Sequence, residues 1–363
     1  MKVLMILNKY YPMIGGAEQQ AKQLIKNLPN CDVTVLTSNH TGKLIRNEYI
    51  DDTKVIRLSC QFLGSAEFYI RLFFFMLING KKFDVHHCHS ISITSFLVSI
   101  FSRIYNKKCI LKLTIAGEIA KIFEAQGVKA SVKKLMIKYA LDNSTVIALT
   151  KEGKNELDRF GVKDFRLIKN GVDIETLRSN VTRNKFKYDH NSGPVFGFLG
   201  RFCEQKGIDS LLKAFVSTPP NSTLVLMGSS DGQEASKVDE QIEMYKQILG
   251  KRLIVKEPQN PPYQFYGQIT HFVSASKFEG MPNCVLEALS LNIPCILSNI
   301  EPHKEIMTLV KGNNIWLAND DDSLSNIMIQ HCEGREEQNY SETVPVELDI
   351  KNIAQQYYQT YRD

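Results

Sequence analysis

Two carboxylates eight residues apart, Glu279 and Glu287 in FEGMPNCVLEAL, bracket a glycine and a proline in this chain of 363 residues. The gap is too wide for an acid and base on one helical turn. It suits two groups that grip different parts of one ligand. THFVSAS reads as a strand ending near Ser276, and VLEALSL as a helix beginning near Asn283. Glu279 then lies in the connecting loop and Glu287 about one turn inside the helix. Between them, the peptide N–H groups of Gly280, Met281, Asn283 and Cys284 form a helix entry suited to phosphate, with Pro282 where no donor is required. An ionised carboxylate accepts both hydroxyl hydrogens of a vicinal diol. A nucleotide sugar, with diols at both ends and a diphosphate in the middle, would use every one of these groups. The plainer alternative makes Glu287 a surface residue of the helix and Glu279 a cap.

Two further segments offer anion chemistry. In FLGRFCEQKGIDSLLKAF, Arg201 follows a strand and Lys206 stands at the mouth of a helix, so both cations can converge on a diphosphate. In NKYYPMIGGAE, Gly15 and Gly16 precede the helix of Ala21 to Leu28, where backbone amides approach an anion without a Cβ in the way. The turn lacks the GxGxxG spacing of a dinucleotide fold, which disfavours NAD. In FDVHHCHSIS, period-two alternation puts His87 and His89 on one face, with His89 nearest the carboxyl end of the strand. Consecutive strand residues face opposite ways and no carboxylate is spaced to join them, so a metal site is the weaker reading of these histidines.

The elements that carry these groups alternate strand and helix almost from end to end, the pattern of parallel sheets covered on both faces. Strands are expected at KVLMIL, DVTVLT, KVIRLS, FDVHHCH, CILKLT, STVIALT and DFRLIK, then at PVFGFLG, STLVLMG, RLIVKE, THFVSAS and PCILSN. Helical spacing appears at Ala21, Leu24, Ile25 and Leu28, and again at Ile208, Leu211, Leu212 and Phe215. The expectation is an α/β chain of two doubly wound, Rossmann-like domains facing across a cleft. The first spans residues 1–178 and the second 179–348, with a hinge after NGVD and a polar stretch from Ser179 to Pro194. A second polar lapse around GREEQNYSETVP precedes a terminal helix, residues 349–363. Its stripe of Ile350, Ile353 and Tyr357 is expected to cross back to the first domain.

Composition narrows the classes. A chain with 44 basic and 39 acidic residues, net +5, is too mildly charged for duplex nucleic acid to be its main partner. Its eight cysteines form no CxxC pair and read as reduced core residues of a cytoplasmic protein. MKVLMILNKYYP is a first strand and not a signal peptide. The apolar run Phe68 to Ile78 contains Arg71 and falls short of the ~20 residues a spanning helix needs. In KASVKKLMIKYAL, Val132, Leu135, Met136 and Tyr139 line one side of a lysine-rich helix. This pattern fits either contact with an anionic membrane from the inner face or a packed helix with a solvated lysine face.

With GGAE, GRFCEQKG, NGVD and EGMPNCVLE in that order, the chain resembles the retaining glycosyltransferases of family 4, which have the GT-B fold, over nearly its whole length. The resemblance implies an N-terminal acceptor-binding domain and a C-terminal donor-binding domain. It implies that Arg201 and Lys206 neutralise the donor diphosphate, Glu287 holds the ribose, Glu279 faces the transferred sugar, Gly16 lies against the phosphates and His89 points at the reaction centre. His89, Glu279, Arg201 and Lys206 are thus the catalytic candidates. Where many relatives carry a histidine and glycine after the next strand, this chain has KLTIAGEIAK, which leaves Lys112 and Gly117 as acceptor-side candidates.

The implied reaction moves a sugar from a UDP- or GDP-linked donor to a saccharide or lipid-linked saccharide acceptor of bacterial surface polysaccharide synthesis, with no cofactor and no metal. The acidic run NDDDSL is read as a helix cap and not as a metal-binding DxD. The alternatives are a nucleotide-sugar 2-epimerase and a non-catalytic nucleotide-sugar-binding subunit.

Overall fold

The structure, a computed structural model, describes residues 1–12, 15–181, 193–230, 235–310, 314–333 and 344–363. The chain divides into two compact units, residues 1–170 with 350–363, and residues 171–349.

The first unit runs β1 (Lys2–Ile6), α1 (Gly16–Asn27), β2 (Asp32–Asn39), β3 (Asn47–Ile50), β4 (Thr53–Ser59), α2 (Ser65–Asn79), β5 (Val85–Cys88), α3 (Ile93–Ile104), β6 (Lys108–Leu113), α4 (Glu118–Glu124), α5 (Val128–Asp142), β7 (Thr145–Ala148), α6 (Lys151–Arg159) and β8 (Phe165–Leu167). Its sheet has the order β3-β4-β2-β1-β5-β6-β7-β8, and β3 is antiparallel to β4. Its inner strands are apolar on both faces because helices cover both. Phe68, Leu72 and Met76 of α2, Val98 and Phe101 of α3, and Ile137 of α5 share a core with Leu4, Ile6 and Leu111. The alternate residues Val3, Met5 and Ile110 pack with Ala21 and Leu24 of α1.

The second unit contains α7 (Ile174–Asn180), β9 (Val195–Leu199), α8 (Ile208–Val216), β10 (Thr223–Met227), α9 (Ala235–Leu249), β11 (Leu253–Lys256), α10 (Tyr263–Tyr266), β12 (His271–Ser274), α11 (Asn283–Ser290), β13 (Cys295–Ser298), α12 (Glu301–Leu309), β14 (Ile315–Ala318) and α13 (Asp321–Cys332). All neighbours in its sheet, β11-β10-β9-β12-β13-β14, are parallel. The strand order reverses at β9/β12 here and at β1/β5 in the first unit, and open α/β sheets bind ligands outside the carboxyl ends of strands at such points.

The last helix, α14 (Ile350–Arg362), belongs to the first unit, where buried Ile353, Tyr357 and Tyr361 join the core beneath α1. Two strands escaped the sequence reading. The antiparallel edge strand β3 carries polar Asn47 and Glu48, and β14 is a short edge strand with half-buried Trp316 and Leu317.

The unit boundary also differs from the expected one. Residues 171–178 and Asp349 join the second unit: Val172 N–H donates to the Leu348 carbonyl at 2.9 Å, Val172 bridges Asp349, and Arg178 Nε donates to the Ser290 carbonyl at 3.1 Å. These ties outweigh the sequence continuity of NGVD with β8. Most of the expected polar connector, residues 182–192, and most of the tail lapse, residues 334–343, lie outside the described residues.

Candidate active site

In the second unit, β9 ends at Leu199 and the GRFCEQKG loop follows it into α8. Its path is fixed by close approaches that only glycine allows. A Cβ on Gly207, where φ is +63°, would lie 2.0 Å from the Ala275 carbonyl oxygen, and one on Gly228 would lie 1.9 Å from that of Gly200. The loop is also tied to the segment after β12: Lys277 N–H donates to the Gln205 carbonyl at 2.8 Å, and Gln205 Nε2 to the Phe278 carbonyl at 3.0 Å.

These ties bring together two residues 73 positions apart. Lys206 Nζ and Glu279 Oε1 form an ion pair at 2.5 Å with the side chains 16% and 8% exposed, and Ser276 Oγ donates to the same carboxylate oxygen at 2.7 Å. The sequence reading treated these residues as separate contacts to phosphate and sugar, whereas the fold couples them. Arg201 lies exposed at the head of the loop.

Helix α11 starts at Asn283, with Pro282 as its extended N-cap, so Gly280, Met281, Pro282, Asn283 and Cys284 form the helix entry. Glu287 is 6% exposed on the helix, and its Oε2 accepts the Tyr266 hydroxyl at 2.5 Å. Burial pushes its carboxyl up to about 7, against the opposing pull of that hydrogen bond. Burial likewise pushes the Cys284 thiol up to about 12, so it is no thiolate nucleophile at neutral pH.

Three residues of this neighbourhood escaped the sequence reading: Tyr266, Ser276 and His303. His303 is fully buried on α12. Its Nδ1–H donates to the Ser298 carbonyl at 2.8 Å, and its Nε2 has no partner among the described residues. Burial holds its pKa below the ordinary value, with Glu279 and Lys206 near enough to act on it. Ser276 meets Glu279 locally, three residues away in the same segment, whereas no short-range signal marks Tyr266 or His303, which reach the site only through the tertiary fold.

In NDDDSL, Asp320 is the N-cap of α13 and accepts the Ser323 N–H at 2.7 Å, the cap the sequence suggests. No group of three or more His, Cys, Asp or Glu side chains is arranged to hold a metal among the described residues.

In the first unit, Gly15 is the N-cap of α1 and Gly16 its first residue, while 13 and 14 of the preceding turn lie outside the described residues. His87 and His89 share a face as alternation requires, with ring centroids 4.4 Å apart, and His87 Nδ1 bonds Tyr361 Oη at 2.7 Å. His86 points the other way, to Ser102 Oγ at 2.8 Å and the Gly80 carbonyl at 3.0 Å. Both ring nitrogens of His89 are buried without a partner among the described residues, and burial, with His87 and Lys112 adding to it, holds the ring neutral.

The two acceptor-side candidates are placed differently from that expectation. Lys112 is 3% exposed, donates to Asn170 Oδ1 at 3.1 Å and lies over the Tyr357 ring of α14. Gly117, at φ +85°, gives its N–H to Glu156 Oε2 at 2.8 Å, while Ala120 N–H takes Oε1. Both groups are occupied internally in this structure.

Lys112 sets a pH test. Burial lowers its amine from the ordinary 10.5 to about 7. Between those values the unfolded chain holds the extra proton, so this residue makes stability climb as pH rises through the window, and below it the full penalty remains. Lys112→Met is therefore expected to melt higher at pH 7, by about 2–4 °C for each kcal/mol relieved. Its advantage over the natural chain should shrink toward pH 10. Calorimetric melting of both proteins at pH 7 and 9.5 checks this, and an unchanged difference contradicts it.

A pair of doubly wound units in tandem, the second holding a lysine–glutamate pair and a helix entry at its switch point, defines a GT-B glycosyltransferase. The family model for "Glycosyltransferase Family 4" matches residues 14–176, and that for "Glycosyl transferases group 1" matches 180–342. Together they span most of the chain, which belongs to the family 4, or group 1, glycosyltransferases and is an enzyme of that class.

Among named relatives, the chain is 26% identical over 356 residues to the UDP-Gal:alpha-D-GlcNAc-diphosphoundecaprenol alpha-1,3-galactosyltransferase of Escherichia coli, covering 89% of each protein. It is 25% identical over 236 residues to the capsular polysaccharide biosynthesis glycosyltransferase CapM of Staphylococcus aureus, covering 62% of this chain and 59% of that one. The Anabaena protein HepE, solved in complex with UDP and glucose, shares the fold at a TM-score of 0.77 and 18% identity, over 100% of this chain and 99% of that one.

Proposed function

We propose that the chain transfers a sugar, with retention at the anomeric carbon and without a bound metal, from a UDP- or GDP-linked donor to a lipid-linked saccharide in bacterial surface polysaccharide synthesis. The observation that carries this reading is the half-enclosed Lys206–Glu279 pair at the carboxyl ends of β9 and β12. Sugar transfer must stabilise negative charge growing on the departing diphosphate. An ammonium and helix-entry amides fixed in advance do so without reorganisation. In this reading Lys206, with Arg201 beside the same strand end, takes the diphosphate, and the Glu279 oxygens accept hydroxyls of the transferred sugar. Glu287, steadied by Tyr266, accepts the ribose hydroxyls. Neutral His89 and Gly16 serve the same reaction from the first unit. The names of the Escherichia coli and Staphylococcus aureus relatives, with a diphosphoundecaprenol-linked acceptor and a capsular product, support the choice of acceptor.

Glu287→Gln tests the donor assignment. Losing a hydrogen bond to a charged group costs about 1.5–3 kcal/mol, so donor KM is expected to rise about ten- to a hundredfold with kcat nearly unchanged. Because the carboxyl titrates at about 7, donor affinity of the natural enzyme is expected to weaken as pH falls below that value, and the Gln variant to lose the dependence. Steady-state kinetics from pH 6 to 8.5 reads both effects, and an unaltered donor KM in the variant rejects the ribose assignment. Turnover that survives EDTA supports metal independence, and turnover abolished by it rejects that part.

A further inference from the structure

The helical layer over one face of the first unit's sheet leaves apolar surface that no described residue covers. Helix α2 is apolar nearly all round. Phe68, Leu72 and Met76 enter the core, while Ile70, Phe73, Phe74, Leu77 and Ile78 stay exposed, Phe74 at 54% and Ile78 at 63%. Those five positions follow i, i+3, i+4, i+7, i+8 and form one stripe along the helix. Just before it, Phe62 is 85% exposed and Leu63 66%.

Helix α5, like α2, packs on α3, and it repeats the pattern: Ile137, Ala140 and Leu141 are buried, but Val128, Val132 and Leu135 are exposed. The sequence reading grouped Val132 and Leu135 with Met136 and Tyr139, and the fold half-buries the latter two. Exposed apolar stripes of this length on two helices of one layer mark an interaction site.

Charge identifies the occupant. Exposed Arg71, Lys81 and Lys82 accompany the α2 stripe, and Lys129 and Lys133 accompany that of α5. Between Cys60 and Phe83 the single carboxylate is Glu67, which is buried and paired with Arg71 at 2.8 Å, and the single carboxylate of α5 is Asp142 at its last position, paired with Lys138 at 2.7 Å. We propose that α2 and α5 seat the enzyme on an anionic lipid bilayer, stripe residues among the acyl chains and lysines at the phosphate level. No helix among the described residues is long and apolar enough to cross a membrane, so this contact is one of lying on the surface. A second copy fits less well, since a two-fold contact through the same patch would set these cations against each other. The inference rests on the lipid-linked-acceptor reading and names the surface from which such an acceptor is met.

The test is co-sedimentation of the full chain with vesicles of equimolar phosphatidylglycerol and phosphatidylcholine, or of phosphatidylcholine alone, at low and high salt. The natural chain is expected to pellet with anionic vesicles at low salt. Phe74→Ser/Ile78→Ser, two exposed positions whose change leaves the core intact, is expected to lower the partition at least tenfold. Lys81→Glu/Lys82→Glu is expected to lower it severalfold and to flatten its salt dependence. A natural chain that stays in the supernatant, or a Phe74→Ser/Ile78→Ser variant that pellets equally, overturns the proposal. So does a dimer in sedimentation equilibrium that the same variant dissociates, which would assign the stripe to a second copy. A thermal-shift titration with UDP-sugars and GDP-sugars runs in parallel. Vesicle binding lost with the nucleotide-sugar shift intact rejects the surface alone, and a chain that binds vesicles but no nucleotide sugar rejects the transfer reading instead.

Discussion

Lys206→Met is expected to lower kcat about a hundred- to a thousandfold while the protein stays folded. A preorganised donor aimed at developing charge is worth about 2.7–4 kcal/mol of the barrier. Lys206 meets the condition of preorganisation, since Gly207 allows the loop to pass against Ala275 and Gln205 is bonded at both its backbone and its amide. The variant carries a second, separable effect. Without its partner, Glu279 retains only the Ser276 hydroxyl among the contacts described above, in a site where its side chain is 8% exposed. A carboxylate left in that site without its cation is an uncompensated charge, so the single variant is expected to melt lower than the natural chain. Lys206→Met/Glu279→Gln removes that stranded charge and is expected to restore the melting temperature but not turnover. Rapid-quench turnover and calorimetry on the single and double variants separate the two effects. A single variant within threefold of the natural kcat would end the assignment of Lys206 to the leaving diphosphate.

Arg57→Ala is expected to cost the first unit more than any surface substitution. The Arg57 side chain is wholly enclosed. Nη1 donates to the Ile45 carbonyl at 2.8 Å and pairs with Glu48, and Nη2 donates to the Tyr11 carbonyl at 2.6 Å. One guanidinium thus fastens β4 to the strand-edge segment before β3 and to the turn that leads to Gly15 and Gly16. Removing one member of such a pair costs about 3–5 kcal/mol, the lower end being apt here because Glu48 is 29% exposed. The expected fall in melting temperature is about 6–12 °C, at about 2–4 °C per kcal/mol for a unit of this size. Lys at this position supplies charge without the fork geometry and should fall in the middle. Melting followed by circular dichroism decides it: an Arg57→Ala protein within 2 °C of the natural one shows that water or a neighbour replaces the lost donors.

Local order was legible wherever the sequence repeats at the period of its element. The alternation of FDVHHCH placed His87 with His89 against His86, and the i, i+3, i+7 stripe of Ile350, Ile353 and Tyr357 located α14. The loop position of Glu279 and the helical position of Glu287 followed from the strand and helix that flank them. The short edge strand β3 went unread because few of its side chains need burial, and burial is what writes the pattern.

The sequence by itself determined which groups are present at the ends of which strands: Gly15 and Gly16 after β1, Arg201 and Lys206 after β9, Glu279 and Glu287 after β12. That is possible because strand ends, turns and helix starts obey short-range rules of backbone geometry and capping. Tertiary structure alone decided which of these groups touch. It paired Lys206 with Glu279, set Tyr266 on Glu287, and turned Lys112 and Gly117 inward to Asn170 and Glu156. Those meetings depend on the order and register of strands far apart in the chain, and a carboxylate's preference for any nearby donor does not specify which donor the sheet will bring.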